Sequence, residues 1–147
     1  EYIEKYLAGY DGVRFYMKDI VEKGKENGYV ETLLGRKRWL PDLKSRNYNL
    51  RSFAERTALN TPIQGTAADI MKLAMLKADR RLKEEKLQAK MLLQVHDELI
   101  FDCPLSEREA VVRLVKEEME NAFDLAVPMT ADVKEGNDWY NMRSVEL

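Results

Sequence analysis

The stretch Leu92-Leu93-Gln94-Val95-His96-Asp97-Glu98-Leu99-Ile100-Phe101 narrows the possible folds more than any other in the chain. Two short apolar runs, each the length of a buried strand, flank three consecutive polar residues that include the only histidine. That pattern predicts an antiparallel hairpin with His96, Asp97 and Glu98 at its tip. Turns usually draw on Gly, Pro, Asn or Asp for positive or preset φ, yet no glycine or proline lies between Met91 and Cys103. The polar trio is therefore poorly explained by turn chemistry. Adjacent carboxylates repel unless a cation or protons offset their charge, so an anionic tip on a stiff ribbon suits a divalent cation. The alternative is an ordinary solvated hairpin tip.

A chain of 147 residues has the size of one ordinary domain and can bury a real core. Its 45% hydrophobic and 34% charged residues are those of a soluble globular protein. The single Cys103 rules out an internal disulfide and suits a reducing compartment. One His and one Cys leave too few ligands for a zinc site of the usual kind. No run of about 18 or more apolar residues is available to span a membrane, and the N-terminus has no signal-peptide pattern. A cytoplasmic location is the expectation.

The net charge of -2 conceals an uneven distribution. Residues 36–56 hold seven basic side chains (Arg36, Lys37, Arg38, Lys44, Arg46, Arg51, Arg56) against two acidic ones, whereas residues 100–147 hold eleven acidic and five basic. The first segment suits a polyanion and the second does not; a solvated face is the plainer reading of the same run.

Residues 2–7 read as the end of a helix without a start signal, so the polypeptide is expected to begin inside a larger fold. Asp11 is a candidate N-cap, and Val13, Met17, Ile20 and Val21 recur at helical spacing until Asn27-Gly28 supplies a stop. Residues 29–33 and 36–40 are β-prone runs joined at Leu34-Gly35, a small hairpin ended by Pro41. Beyond a polar loop, a helix is expected over residues 52–85. Pro62 interrupts it, because proline lacks the amide donor and its ring collides with the carbonyl of Ala58. Thr61 can serve as a fresh N-cap with Gln64 at the capping-box position, so either one kinked helix or two abutting helices would result. The second half would bury Ile70, Met71, Ala74, Met75, Ala78 and Leu82.

After the hairpin over residues 91–103, Ser106 and Glu109 form another capping box ahead of a helix with Val112, Val115, Met119 and Phe123 on one face. Residues 129–133 can return as a strand beyond Pro128, and Trp139 and Tyr140 are expected to cap a core edge. The pattern is α+β, and no repeat, low-complexity tract or linker marks an internal domain boundary.

Arg56, Asn60 and Gln64 lie four residues apart and form a row about 12 Å long on a continuous helix. A guanidinium and two amides all donate hydrogen bonds. The duplex minor groove presents acceptors at adenine N3 and thymine O2, so donors there can sense any correctly paired base without selecting a sequence. Gly65 and Thr66 are small enough to let a backbone or duplex approach. The plainer readings are that Gln64 caps the helix, Asn60 satisfies the break at Pro62, and Arg56 pairs with Glu55 or Ser52.

The motif Glu55-Arg56-Thr57-Ala58-Leu59-Asn60-Thr61-Pro62-Ile63-Gln64-Gly65-Thr66-Ala67-Ala68-Asp69, followed by Gln94-Val95-His96-Asp97-Glu98-Leu99, strongly resembles the family A DNA polymerases. Gly28-Tyr29-Val30-Glu31-Thr32-Leu33, Gly35-Arg36 and Leu40-Pro41-Asp42 look like the family's sequence between fingers and palm. Several long motifs in order over nearly the whole chain make the resemblance specific.

The resemblance implies a right-hand polymerase to which this chain contributes the C-terminal fingers and palm, with helices packed on a small antiparallel palm sheet. The activity implied is template-directed transfer of nucleotides from dNTPs to a primer 3′ hydroxyl, in DNA replication and repair, by a two-metal mechanism with Mg2+. Asp97 would be a palm carboxylate serving the metals, with Glu98 supporting it and His96 near the primer terminus. Arg56, Asn60 and Gln64 would contact primer and template. Arg36, Arg38, Lys44, Arg46 and Arg51 would touch duplex phosphates, an expectation that rests on charge and position.

The family's other catalytic aspartate, and the fingers helix whose lysine, arginine and tyrosine hold the triphosphate, do not occur in these residues. Two-metal catalysis from Asp97 and Glu98 alone is chemically incomplete. The chain is thus expected to be a C-terminal fragment, or half of a split or cleaved polymerase, inactive without its N-terminal remainder. The competing readings are a non-catalytic duplex-binding or structural module of the same fold, and a relative of the single-subunit RNA polymerases.

Overall fold

A helical pair opens the chain in the computed structural model, which describes residues 2–145. Helix α1 spans Tyr2–Gly9 and α2 spans Asp11–Asn27. Gly28 ends α2 at φ 81°, in the left-handed region that glycine enters without a Cβ clash, and returns its amide to the Gly24 carbonyl. Strands β1 (Tyr29–Glu31) and β2 (Lys37–Trp39) then pair antiparallel with Val30 opposite Arg38. The connecting turn closes through the Gly35 amide to the Thr32 carbonyl, with Gly35 also at φ 81°.

A single 3₁₀ turn, Pro41–Lys44, leads into the long helix α3, Tyr48–Glu84. The chain divides into two compact units inside α3, the first ending at Asp69 and the second beginning at Ile70.

In the first unit the core is Val30, Leu40, Leu43, Ala54 and Ala58, with Ile20 and Val21 packed on it. Gly24 makes this packing possible: a Cβ there would stand 2.9 Å from Leu43 Cδ1 and 3.1 Å from Val30 Cγ1. Helix α3 starts four residues before the expected Ser52 because Asn47 caps it, accepting from the Asn49 amide at 2.9 Å. Pro62 does not divide it. Instead of capping a new helix, Thr61 donates its hydroxyl back to the Thr57 carbonyl at 2.7 Å, as Thr57 does to Phe53. The Tyr16 hydroxyl reaches the Leu59 carbonyl at 3.2 Å, beside the carbonyl whose helical donor Pro62 removes.

In the second unit β3 (Lys90–Val95) and β4 (Glu98–Asp102) form the hairpin, with Val95 opposite Glu98 and a register shift between Met91 and Leu93. A 3₁₀ turn at Leu105–Glu107 precedes α4, Arg108–Glu120, and a ribbon of β5 (Lys134–Glu135) and β6 (Arg143–Ser144) follows. Leu82, Ala89, Val111, Leu114 and Val115 make the core, joined by Leu87, Phe101, Cys103 and Met119. Arg81 fastens α3 to α4 by binding Glu117 at 2.8 Å and Glu118 at 2.9 Å. Of the six residues expected to be buried in the second half of α3, Ala74, Ala78 and Leu82 are buried, while Ile70, Met71 and Met75 are half-buried.

Several expectations fail for identifiable reasons. The hairpin strands are not fully buried: Leu92 and Leu93 are about half exposed, since the shift at Leu92 breaks the alternation and a two-stranded ribbon lacks neighbours at both edges. The Ser106–Glu109 capping box does not form. The 3₁₀ turn delays α4 to Arg108, which places Val111, Leu114 and Val115 inward and leaves Val112 half-buried. Residues 129–133 are not a strand, because Ala131 spends its backbone groups on Glu120 and Lys116 of α4. Trp139 and Tyr140 face outward, in a bend organised by the Asp138 carboxylate, which accepts from the Tyr140 and Asn141 amides. The close approach expected at Gly65 and Thr66 does occur: it is made by the loop between β1 and β2, with the Leu33 amide 2.9 Å from Thr66 Oγ1.

Candidate functional site

Helix α3 carries the first group of candidates. Arg56, Asn60 and Gln64 are all exposed on one row, because the opposite face of the same turns buries Ala54 and Ala58. The Asn60 and Gln64 side-chain amides make no hydrogen bond to any described residue, so neither serves the cap at Pro62 that local pattern offered. Arg56 does make one, from Nη1 to Ser52 Oγ at 2.9 Å, leaving the rest of its guanidinium available. Glu55, its other sequence neighbour of opposite charge, is engaged by Lys25 at 2.8 Å. The result is a line of donors facing outward from a helix anchored on its other side.

The basic residues before α3 and in its first turn divide into engaged and available. Arg36 is tied inward, with Nε 2.7 Å from Asp69 Oδ1 and Nη2 3.1 Å from the Gly65 carbonyl. Arg51 donates to the Ser45 carbonyl at 2.9 Å and lies over the Tyr48 ring. Lys37 sits 4.3 Å from the centre of the Tyr29 ring, which in turn meets Trp39 edge-on. Arg38, Lys44 and Arg46 are exposed and hold no ion pair among the described residues. These exposed cations are the ones placed to meet a polyanion.

The hairpin tip is the second group, and its geometry explains how a turn forms without turn residues. His96 and Asp97 are the two-residue loop, and His96 adopts φ 52°, the left-handed region. Such a conformation costs a non-glycine residue roughly 1–2 kcal/mol, although His tolerates it better than most. The Gln94 side chain helps to hold it, its Nε2 donating to the His96 carbonyl at 2.6 Å. His96, Asp97 and Glu98 are all exposed, and neither carboxylate forms an ion pair among the described residues.

Two hard carboxylates, undiverted by any cationic side chain, match the donor chemistry of magnesium. They are two donors only. Among the described residues no group of three or more His, Cys, Asp or Glu side chains converges to hold a metal ion. A metal at the tip therefore needs further ligands beyond Asp97 and Glu98, from substrate phosphates, water or other carboxylates.

Elsewhere the titrating groups serve structure. Glu135 is held below the usual carboxylate range first by its hydrogen bond from Arg108 and further by Arg143. Burial, with help from Glu107 and Asp102, pushes the Cys103 thiol up. Glu107 itself is occupied, its carboxylate accepting from the Gln88 and Ala89 amides at 2.8 and 3.1 Å. No helix among the described residues is long and apolar enough to cross a membrane.

Comparison with known proteins assigns a lineage to this arrangement. Residues 1–141 match the model of DNA polymerase family A. The DNA polymerase I of Bacillus caldotenax is 56% identical over 143 residues, and that of Geobacillus stearothermophilus 57% identical over 143, each alignment covering 97% of this chain. The DNA polymerase I of Bacillus subtilis is 53% identical over 142 residues. The chain spans only 16% of the length of each of these relatives. Among solved structures, the POL domain of Pol1 from M. smegmatis, in complex with DNA primer-template and dNTP, matches with a TM-score of 0.83 and 48% identity, over 86% of this chain and 22% of that one. The α+β fold agrees with that match, and with nearly its whole length aligned to the family, this chain belongs to DNA polymerase family A.

Proposed function

We propose that the chain supplies the C-terminal fingers and palm of a template-directed DNA polymerase, acting in the cytoplasm on a primer-template and dNTPs. The observation that carries the reading is the hairpin tip: two exposed carboxylates without ion pairs among the described residues, on a strained two-residue loop, in a chain similar to a polymerase domain solved with primer-template and dNTP. Left-handed non-glycine residues cluster at functional sites, which makes the tip a candidate for chemistry.

Asp97, with Glu98 beside it, would hold magnesium, which supplies Lewis-acid activation of a primer 3′ hydroxyl and charge neutralisation at the triphosphate. His96 stands next to Asp97 and can donate a hydrogen bond at the primer end. The α3 row would lie along the minor groove, where Arg56, Asn60 and Gln64 donate to acceptors common to correctly formed pairs. Arg38, Lys44 and Arg46 would neutralise duplex phosphates, while Arg51 is already engaged by the Ser45 carbonyl and the Tyr48 ring. Arg36 is left out of that set because Asp69 and Gly65 already hold its guanidinium.

Two carboxylates are too few for a two-metal centre, so the remaining palm carboxylate and the dNTP-holding side chains would come from the rest of a longer polymerase. The test replaces the matching segment of the Bacillus caldotenax relative with this chain. Magnesium-dependent extension of a primer with dNTPs is the expected result, against none from the 147 residues alone. Extension by the isolated chain, or a hybrid that folds and binds primer-template but never extends it, would refute the proposal.

A further inference from the structure

The turn of α3 that follows the proline is held from outside. The loop between β1 and β2 makes four contacts with one another's groups and with that turn. The Leu33 amide donates to Thr66 Oγ1 at 2.9 Å, and Arg36 Nη2 donates to the Gly65 carbonyl at 3.1 Å. Arg36 Nε donates to Asp69 Oδ1 at 2.7 Å, and the Arg36 amide donates to Thr32 Oγ1 at 3.1 Å. Thr32, Thr66 and Asp69 are buried, while the Arg36 guanidinium that joins Asp69 to the Gly65 carbonyl is half exposed. The approach is close enough to require glycine at 65, where a Cβ would stand 2.7 Å from Thr32 Cγ2 and 3.3 Å from Arg36 Nη2.

Gln64 precedes Gly65 directly and follows Pro62 by two residues. Proline removes one helical hydrogen bond just upstream, so this turn is less restrained along the helix than its neighbours. Upstream, Tyr16 on the Leu59 carbonyl and Thr61 on the Thr57 carbonyl steady the break. Downstream, the Arg36 fork spans Gly65 and Asp69, which are one helical turn apart. A hydrogen-bond donor that senses base-pair geometry must be placed to within a fraction of an ångström.

We propose that Arg36 is a positioning residue: its fork between Asp69 and the Gly65 carbonyl sets the position of the Gln64 amide against the base pair and so governs discrimination at the primer terminus. This rests on the reading that the α3 row faces the duplex. The planar fork is the functional part, because lysine carries the same charge but cannot make both bonds in fixed geometry. A phosphate contact, the role that charge alone suggests for Arg36, would behave in the opposite way.

The experiment uses the whole hybrid polymerase, with extension from matched and mismatched primer ends measured for Gln64→Ala, Arg36→Ala, Arg36→Lys and the Arg36→Ala/Gln64→Ala pair, and with primer-template affinity measured across salt concentrations. Expected are a loss of at least fivefold in matched-over-mismatched selectivity in both Arg36 variants, with lysine failing to rescue. The slope of log affinity against log salt stays that of the parent, and Arg36→Ala adds less than twofold in the Gln64→Ala background. A salt slope reduced by about 1 in Arg36→Ala and restored in Arg36→Lys identifies a phosphate contact and overturns the proposal. Multiplying effects in the double variant also overturn it, by showing that Arg36 does not act through Gln64. If Gln64→Ala alone leaves selectivity unchanged, the row does not read the duplex and both readings fall together.

Discussion

The α3 row and the hairpin tip present the same kind of surface, exposed polar side chains that form no salt bridge among the described residues, yet they are supported in different ways. The row sits on a helix whose opposite face closes a core with Val30, Leu40 and Leu43, and whose turn after Pro62 is bound by Arg36 on the Gly65 carbonyl and by the Leu33 amide on Thr66 Oγ1. The tip has no such backing. Its loop is two residues, its first residue is at φ 52°, and the Gln94 amide is the side chain that holds it. On the proposed reading the row, which would measure geometry, needs a rigid base, whereas the tip, which would gather cations, would gain its rigidity when the cation and its other ligands arrive.

If the first region depends on what lies beneath it, the largest effect comes from cutting the core. Leu43 is 1% exposed, and Leu43→Ala should cost about 2–5 kcal/mol, with amide exchange at residues 54–58 accelerating accordingly. Unchanged exchange there would mean that α3 does not rely on this core. Next in size is the row itself. In the hybrid polymerase Gln64→Ala should lower matched-over-mismatched extension about tenfold, the value of one lost hydrogen bond in a desolvated groove. An unaltered ratio would make the row merely a solvated face.

The tip should answer differently. His96→Gly relieves the left-handed φ, so thermal stability should hold or rise by about 1 kcal/mol while extension falls. A clear loss of stability would show that the His96 side chain supports the fold rather than the chemistry.

The smallest effect concerns the ribbon of β5 and β6. Because Glu135 is depressed by Arg108 and Arg143, its stabilising contribution is present above the unfolded carboxylate value and is lost as pH falls through the lower folded value. The protection factor of the Val145 amide, which is bonded to the Val133 carbonyl, should therefore fall in acid below about pH 4 and hold steady near neutral pH, once the intrinsic exchange rate at each pH is divided out. A protection factor that instead holds in acid and falls on the alkaline side would contradict that assignment.

The sequence disclosed elements better than it disclosed what holds them in place. Apolar spacing and Gly28 located α2, and the polar trio between apolar runs located the hairpin and its tip. Periodicity did not reveal that α3 starts at Tyr48, although the signal was present in Asn47, whose side chain caps it. The capping boxes at Thr61 and Ser106 misled because a local pattern competes with tertiary alternatives: Thr61 found the Thr57 carbonyl, and the 3₁₀ turn carried the start of α4 past Ser106.

The candidate site divides along the same line. Exposure of Arg56, Asn60 and Gln64 follows from their offset from Ala54 and Ala58, which is readable from spacing. The partners of Arg36 are not readable in that way. Asp69 lies 33 residues away, and only the fold brings the two within 2.7 Å, so composition placed Arg36 with the phosphate-seeking cations while geometry ties it to the helix.

The difference between the two regions is tested most directly by single-turnover extension with titrated hybrid polymerase, which yields primer-template affinity and chemical rate from one data set. Asp97→Asn should lower the rate on the order of a thousandfold while affinity stays within about threefold, since a lost metal ligand removes several kcal/mol of transition-state stabilisation and no duplex contact. The Arg56→Ala/Asn60→Ala/Gln64→Ala variant should weaken affinity by at least tenfold while retaining metal-dependent extension at saturating DNA. Full activity in Asp97→Asn, or loss of the same quantity in both variants, would contradict the division of labour between tip and row.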